Sequence, residues 1–178
     1  CKVPAEMLDE VIRTYRQYYL ATGIAQSLLY PGIKEVLETF AAEGRPVAVA
    51  TQKPEGLAQI VLGHHGIAGL FQSIRGSADN ELSTDGPVGK AEIIAAALTD
   101  LSTQHAVMVG DRAQDVAGAI ANGLDCIGVG WGFAPDGELE EAGAVTVVDT
   151  AAGMLAAIGR LEAIRTAAMS EVRNDGAV

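Results

Sequence analysis

The chain alternates between segments with a helical spacing of apolar residues and short, continuous apolar runs. The helical spacing predicts an amphipathic helix from Pro4 to about Thr22, with Gly23 as the stop, and a second one over IKEVLETFAAEG, which ends before Gly44. The run RPVAVAT comes next and is apolar until its polar end. Such a run is typical of a strand that is buried on both faces of a parallel sheet.

The same strand-and-helix unit recurs along the rest of the chain. Helices are predicted for EGLAQIVLGHHG, KAEIIAAALTDL, DVAGAIANG and ELEEAG, and strands for FQSIRGS, HAVMVGD, DCIGVG and VTVV. A final helix is expected after Arg160. Strands and helices that alternate through short loops form right-handed βαβ units. The pattern therefore predicts the α/β class, as a three-layer, doubly wound, mainly parallel sheet.

Candidate site residues stand where the apolar runs end, because open α/β sheets bind ligands beyond the carboxyl ends of their strands. These residues are Thr51, the pair Gly110 and Asp111, and the glycine-rich stretch 128–132. Asp115 follows Asp111 by one helical turn, so the two carboxylates can converge on a hard cation such as Mg²⁺. The alternative is that Asp111 caps a helix and that Asp115 complements the dipole of its first turn. Spacing alone leaves both interpretations open.

Two further positions are suited to a phosphoryl group. Lys90 is predicted in the first turn of a helix, where its charge opposes the helix dipole. It would neutralise a bound anion there, with a solvated surface lysine as the alternative. Thr51 precedes Gln52, Lys53 and Pro54, with Pro54 expected at the first helical position. The hydroxyl of Thr51 and nearby N–H groups suit a phosphoryl oxygen, although threonine at a strand end is also ordinary.

Charge and composition limit the partners that are expected. The 178 residues include 12 Lys and Arg against 23 Asp and Glu, a net charge of −11, which disfavours a nucleic-acid partner. No apolar stretch reaches the roughly 18 residues that span a bilayer, so no membrane partner is expected either. Two cysteines are too few for a disulfide framework. A soluble, cytoplasmic protein is the expectation.

The order of these features along the chain is more specific than any one of them. Thr51 in VAVATQKP is followed by Lys90 in VGKAEII, and then by Gly110, Asp111 and Asp115 in VMVGDRAQDVAGA. This order resembles the haloacid dehalogenase superfamily, in its phosphoglycolate-phosphatase-like branch. TQKPEG and GVGWGFAPDGELEEAGA are similar to the same branch, which also contains 5′-nucleotidases and pyrophosphatases.

The resemblance implies a role for each phosphate-binding position. Thr51 would hydrogen-bond the phosphoryl group, and Lys90 would orient and neutralise it. Gln52, Lys53 and Gly110 would belong to the same phosphate- or substrate-binding surface.

A metal site is implied as well. Asp111 would be a Mg²⁺ ligand, and Asp115 would complete the acidic cluster through the metal, through water or through Lys90. The expected substrate is a small phosphorylated metabolite, such as phosphoglycolate or a nucleoside monophosphate.

The resemblance runs from about Leu20 to about Ala157 and divides the chain into three parts. Residues 1–29 would be the end of an α-helical cap, residues 30–165 a haloacid-dehalogenase-like, Rossmann-type core that lacks its first strand, and residues 166–178 a tail. Nothing in the pattern indicates the oligomeric state.

One motif of the family is missing from this sequence. The family's DxDx(T/V) supplies a nucleophilic aspartate, and no DxD occurs among the 178 residues. We therefore expect a segment upstream of Cys1 to carry the nucleophile of a Mg²⁺-dependent phosphatase that forms an aspartyl-phosphate. The alternative is a non-catalytic module that binds phosphate or a protein. A receiver domain is disfavoured, because its acidic residues come first along the chain.

Overall fold

The computed structural model describes residues 4, 7–78 and 89–175, so residues 79–88 and the last three residues of the predicted tail lie outside the described residues. The helices are α1 Leu8–Tyr18, α2 Ile24–Gln26, α3 Ile33–Ala42, α4 Glu55–His64, α5 Lys90–Asp100, α6 Ala113–Ala121, α7 Glu138–Glu141 and α8 Ala151–Asp175. The strands are β1 Ala48–Pro54, β2 Ser73–Ser77, β3 Val107–Gly110, β4 Asp125–Val129 and β5 Thr146–Val148. A π-helical segment, Tyr19–Gly23, joins α1 to α2.

All strand pairs in this part of the chain are parallel. β1 pairs with β2, and β3, β4 and β5 pair in that order. Val49 stands opposite Ile74 in the first pair, and Val109 stands opposite Ile127 in the second. The predicted parallel α/β sheet is confirmed.

Apolar side chains on both faces of the strands create three layers. On one face, Ile127 packs with Phe40 of α3 and Ile158 of α8. On the other face, the neighbouring Cys126 packs with Ile94 of α5 and Val116 of α6. Successive strand residues point to opposite faces, so β4 is buried on both sides. This burial explains why its sequence reads as a continuous apolar run.

A cleft of about 640 Å³ separates the two groups of strands. It is lined by Val47–Ala50 along β1 and by Val107–Val109 along β3, with apolar side chains of α3, α5 and α8 around them. Among the described residues, neither β1 nor β3 pairs with a strand on the side that faces this cleft. Both edges therefore carry backbone N–H and C=O groups without a ladder partner. We refer to this space as the strand cleft.

Three sequence-based boundaries are wrong. The final helix, expected after Arg160, begins at Ala151. Gly23 does not end the first helix, because the N–H of Ile24 bonds to the carbonyl of Tyr19 and the chain continues helically to Gln26. Pro54 is not the first helical residue: it ends β1 with an extended ψ of 134° and precedes α4.

No helix in the described ranges is both long and apolar enough to cross a membrane.

Candidate functional site

Lys90 links the carboxyl ends of β1 and β3. Its Nζ donates to the carbonyl oxygen of Ala50 in β1 at 2.6 Å and pairs with Oδ1 of Asp115 at 2.7 Å. The Lys90 and Asp115 side chains are 11% and 8% exposed, so Lys90 is not a solvated surface lysine. An ammonium group has three N–H donors, and these two contacts leave one for a ligand.

Asp115 binds protein groups with both of its carboxylate oxygens. Oδ1 pairs with Lys90, while Oδ2 accepts hydrogen bonds from the backbone N–H groups of Asp111 at 3.0 Å and Arg112 at 3.1 Å. Arg112, and not Asp111, is the N-cap residue of α6, so the alternative in which Asp111 caps this helix is wrong. Asp115 lies in the first turn of α6, where its negative charge complements the helix dipole. Of the possible routes for Asp115, contact through Lys90 is the one seen in the geometry.

Asp111 follows β3 directly and keeps one carboxylate oxygen without a protein donor among the described residues. Its Oδ2 accepts the backbone N–H of Phe133 at 2.9 Å. Two glycines make this packing possible. A Cβ at Gly132 would lie 2.2 Å from Cβ of Asp111, and one at Gly110 would lie 2.3 Å from Cβ of Asp115. The role of Gly110 in this geometry is therefore to let Asp115 approach β3.

Thr51 stands next to the carbonyl that Lys90 binds, which brings it to the same strand end. The hydroxyl oxygen of Thr51 accepts the backbone N–H of Lys53 at 3.1 Å, which fixes the turn after it. The side chains that follow contact other elements: Gln52 pairs with Gln114 of α6 at 2.9 Å, and Nζ of Lys53 donates to the hydroxyl of Tyr19 at 3.1 Å. Lys90, Asp115 and the backbone of Asp111 are thus joined by direct contacts, and Thr51 is the sequence neighbour of Ala50, whose carbonyl Lys90 binds. The side chains of Gln52 and Lys53 contact other elements.

Glu138 supports this network and has no signal in the sequence. Its Oε1 accepts hydrogen bonds from Nε of Arg112 and from the backbone N–H of Ala113, each at 2.8 Å. The hydrogen bond from Arg112, followed by that from Ala113, lowers the pKa of Glu138 below its ordinary value. Glu138 lies 26 residues from Arg112, so only the tertiary fold reveals the pair.

The carboxylate oxygens at this site provide only some of the ligands that Mg²⁺ needs. Asp111 offers the free carboxylate oxygen that a hard cation prefers, whereas both oxygens of Asp115 are taken. Within the described ranges, no three His, Cys, Asp or Glu side chains come together as a metal site. A complete coordination shell therefore needs water or oxygen atoms from groups other than these.

Comparisons with known proteins point to one family. The profile of the haloacid dehalogenase-like hydrolases matches residues 2–129. The chain is 42% identical over 131 residues to the tyrosine-protein kinase PtkA of Mycobacterium tuberculosis, a match that covers 72% of this chain and 43% of PtkA. It is 36% identical over 132 residues to a 5′-nucleotidase of Pseudomonas aeruginosa, with 73% and 58% covered. It is 29% identical over 129 residues to a phosphoglycolate phosphatase of Yersinia pseudotuberculosis, with 72% and 55% covered.

The fold agrees with these matches. The solved structure of Mycobacterium tuberculosis PtkA superposes with a TM-score of 0.71 at 36% identity, covering 88% of this chain and 72% of that one. The chain spans about half the length of the curated relatives it matches. Since the family profile covers well over half of the chain, the resemblance seen in the motifs is confirmed. This chain belongs to the haloacid dehalogenase-like hydrolase family, in its phosphoglycolate-phosphatase-like branch.

Proposed function

We propose that this chain carries the phosphate-binding and charge-neutralising part of a Mg²⁺-dependent phosphomonoester hydrolase. The observation that carries the proposal is the buried Lys90–Asp115 pair, which joins the strand ends that bear Thr51 and Asp111. The names of the 5′-nucleotidase and the phosphoglycolate phosphatase support a small phosphorylated metabolite as substrate.

In this proposal each residue handles one part of the phosphoryl group. The remaining N–H donor of Lys90 binds a phosphoryl oxygen and offsets negative charge in the ground and transition states. The hydroxyl of Thr51 donates to a second oxygen. Asp115 positions Lys90 from the opposite side, so it contributes through the lysine and does not touch the substrate.

Asp111 is the proposed protein ligand for Mg²⁺. When bound, Mg²⁺ supplies positive charge that stabilises the phosphoryl oxygens. The hydrogen bond from Phe133 to Oδ2 holds the carboxylate so that the other oxygen stays available.

The strand cleft supports the expectation that the nucleophile stands on a further strand. A parallel strand between β1 and β3 would satisfy both open edges, and its carboxyl end would lie beside Lys90 and Asp111. An aspartate there would form a bond to phosphorus as the ester oxygen leaves with its electron pair. Water would then cleave the aspartyl-phosphate and release inorganic phosphate.

The test uses the purified protein that contains this chain. Phosphate release is measured from phosphoglycolate, from a nucleoside monophosphate and from pyrophosphate, with and without Mg²⁺. We expect Mg²⁺-dependent release, and a loss of about 100-fold or more in Asp111→Asn, in line with the removal of one strong electrostatic contact. Asp136→Asn is the matched control, because Asp136 is exposed.

Two results would contradict the proposal. One is the absence of Mg²⁺-dependent release from every ester, which favours the non-catalytic binding module. The other is an Asp111→Asn variant as active as the Asp136→Asn control.

The similarity to PtkA favours a second candidate, phosphoryl transfer to a tyrosine hydroxyl in place of water. The same site would then serve a different acceptor. Incubation with ATP and Mg²⁺, followed by mass spectrometry for phosphotyrosine, separates the candidates. Phosphotyrosine without free phosphate indicates transfer, and free phosphate alone indicates hydrolysis.

A further inference from the structure

Trp131 stands near the start of the loop that orients Asp111. Residues 130–137 connect β4 to α7, and within them the backbone N–H of Phe133 donates to Oδ2 of Asp111 at 2.9 Å. We refer to these residues as loop 130–137. The ring of Phe133 is 78% exposed, so burial of that ring does not fix the position of its N–H group. Other residues of the loop therefore hold this donor in place.

The indole of Trp131 anchors the loop two residues before this donor. It is half-buried and packs against the cluster of buried residues that contains Ile127, Val129 and Met154. Its ring also lies 6.4 Å from the ring of Tyr30, centroid to centroid, at an interplanar angle of 56°. Aromatic pairs at this separation attract each other beyond the effect of the area that they bury. Trp131 thus joins the loop both to the core and to the segment between α2 and α3.

The backbone on both sides of Trp131 is tightly placed. Before it, the N–H of Gly130 donates to the carbonyl oxygen of Val148 at 2.9 Å, which continues the contact of β4 with β5. After it, a Cβ at Gly132 would lie 2.6 Å from Cγ of Asp111, so the loop backbone lies directly against this side chain. Gly132 is the single residue between the indole-bearing residue and Phe133. The chain between the anchor and the donor is therefore too short to absorb a shift of either.

The hydrogen bond to Asp111 matters because a carboxylate that binds a metal depends on the group that holds its other oxygen. Such partners fix the orientation of the ligand, and their loss weakens metal binding by about 10- to 100-fold. For Asp111, the partner in the described ranges is the N–H of Phe133. This donor is a backbone group, so its position depends on how the loop is held.

We propose that Trp131 is a positioning residue for metal binding at Asp111. By anchoring loop 130–137 between the core and Tyr30, it sets the place of the N–H group that orients the metal ligand. The inference rests on the proposed function for the identity of Asp111 as a Mg²⁺ ligand. Through Tyr30, it also makes the segment between α2 and α3 part of the support of the metal site.

Binding of Mg²⁺, and not turnover, provides the test. A ligand of the folded state raises the midpoint of thermal unfolding with its concentration, and this dependence gives the dissociation constant. The constant is measured with MgCl₂ on the protein that contains this chain, and Asp111→Asn gives the background from other acidic groups. Trp131→Leu should raise the constant by about 10-fold or more. Trp131→Phe keeps an aromatic ring at the anchor, so its constant should stay within about 3-fold of the wild type.

Gly132→Ala tests the same connection from the side of the carboxylate. The added methyl group displaces Asp111, so the dissociation constant should again rise by about 10-fold or more. Gly159→Ala is the matched control, because nothing lies within 4 Å of a Cβ at that glycine. Phe71→Leu is the control for the loss of a half-buried ring, since Phe71 leads into β2 in the other group of strands. Both controls should keep the wild-type constant within about 2-fold.

Tyr30→Leu is a second test of the anchor, and it serves if Trp131→Leu does not fold. Tyr30 is 44% exposed, so its substitution removes the ring contact and leaves the core closed. The dissociation constant should rise by about 3-fold, the effect of one aromatic pair. A constant equal to that of the Phe71→Leu control would contradict the proposed anchor.

The inference is overturned if Trp131→Leu keeps the wild-type constant, or if the wild type responds to Mg²⁺ no more than Asp111→Asn does. Phosphate release separates this result from the fate of the proposed function. A protein whose Mg²⁺ binding depends on Trp131, but which releases no phosphate, retains the positioning role and loses the hydrolase proposal. A protein with Mg²⁺-dependent release and an unchanged constant in Trp131→Leu retains the hydrolase and loses the positioning role.

Discussion

The two carboxylate oxygens of Asp115 contact different partners, and together these contacts hold the candidate site in place. One oxygen holds the Lys90 ammonium and the other holds the backbone that leads from β3 into α6. Displacement of this one carboxylate would therefore disturb both Lys90, the proposed phosphate-binding cation, and Asp111, the proposed metal ligand.

We expect Asp115→Asn to lower the free energy of unfolding by about 3 kcal/mol, because Lys90 would remain buried without its counter-charge. Urea denaturation followed by circular dichroism measures the loss. The double variant with Lys90→Met and Asp115→Asn leaves no buried charge unpaired. Its loss of unfolding free energy should therefore be smaller than the sum of the losses of the two single variants. A loss below about 1 kcal/mol in the single variant would contradict a buried, coupled pair.

The residues of this site could be predicted from the sequence where their signal is local. Thr51 and Asp111 end apolar runs, and Asp115 follows one helical turn later. Glu138 could not be found in this way, because its partner Arg112 lies 26 residues away. The geometry brings these residues together, but their roles in binding phosphate, substrate or metal stay predictions, as do those of Gln52, Lys53, Lys90 and Gly110.

Among the secondary-structure elements, α5 and β2 are joined by a single acidic residue near their ends. Asp100 at the end of α5 accepts hydrogen bonds from Arg75 and Ser73 of β2, with Nε of Arg75 at 2.6 Å. The hydrogen bond from Arg75, and then that from Ser73, lowers the pKa of Asp100 from an ordinary 3.8 to about 2. The contact connects elements on either side of residues 79–88.

This pKa gives stability a defined dependence on pH. The folded-state pKa lies below the unfolded one, so the stabilisation by Asp100 is complete above pH 3.8 and is lost as the pH falls from there to about 2. In Asp100→Asn, we expect stability to fall less steeply as the pH falls from 3.8 to about 2, because the variant has no carboxylate to protonate at this position. Urea midpoints at pH 6, 4 and 3 measure it, and an equally steep decline in the variant and the wild type would contradict the assignment.

Element order follows from the sequence more readily than element boundaries do. Continuous apolar runs identified the strands because both faces of the sheet are covered. The boundary at Gly23 failed because a glycine ends a helix only when the chain turns away. Here the missing Cβ accommodates the Tyr19 ring and the helix continues.

For the molecule as a whole, the sequence predicted a parallel three-layer sheet, which is confirmed. The core's missing first strand, inferred from the absence of a DxD motif, stays a prediction, and the strand cleft between β1 and β3 is the place proposed for it. The absent DxD motif does not predict the volume of the strand cleft, because that volume depends on how α3, α5 and α8 pack around it.

The strand cleft also has a consequence for the time course of folding. Each group of strands is built from consecutive βα units, whose contacts are close in sequence and form quickly. If the proposed further strand closes the cleft, it has to contact both groups, and we expect it to dock after they have formed. During refolding of an active protein, helical circular dichroism should therefore return before phosphate release does. The chain would pass through a state that is folded but not yet catalytic, and simultaneous recovery of both signals would contradict this order of events.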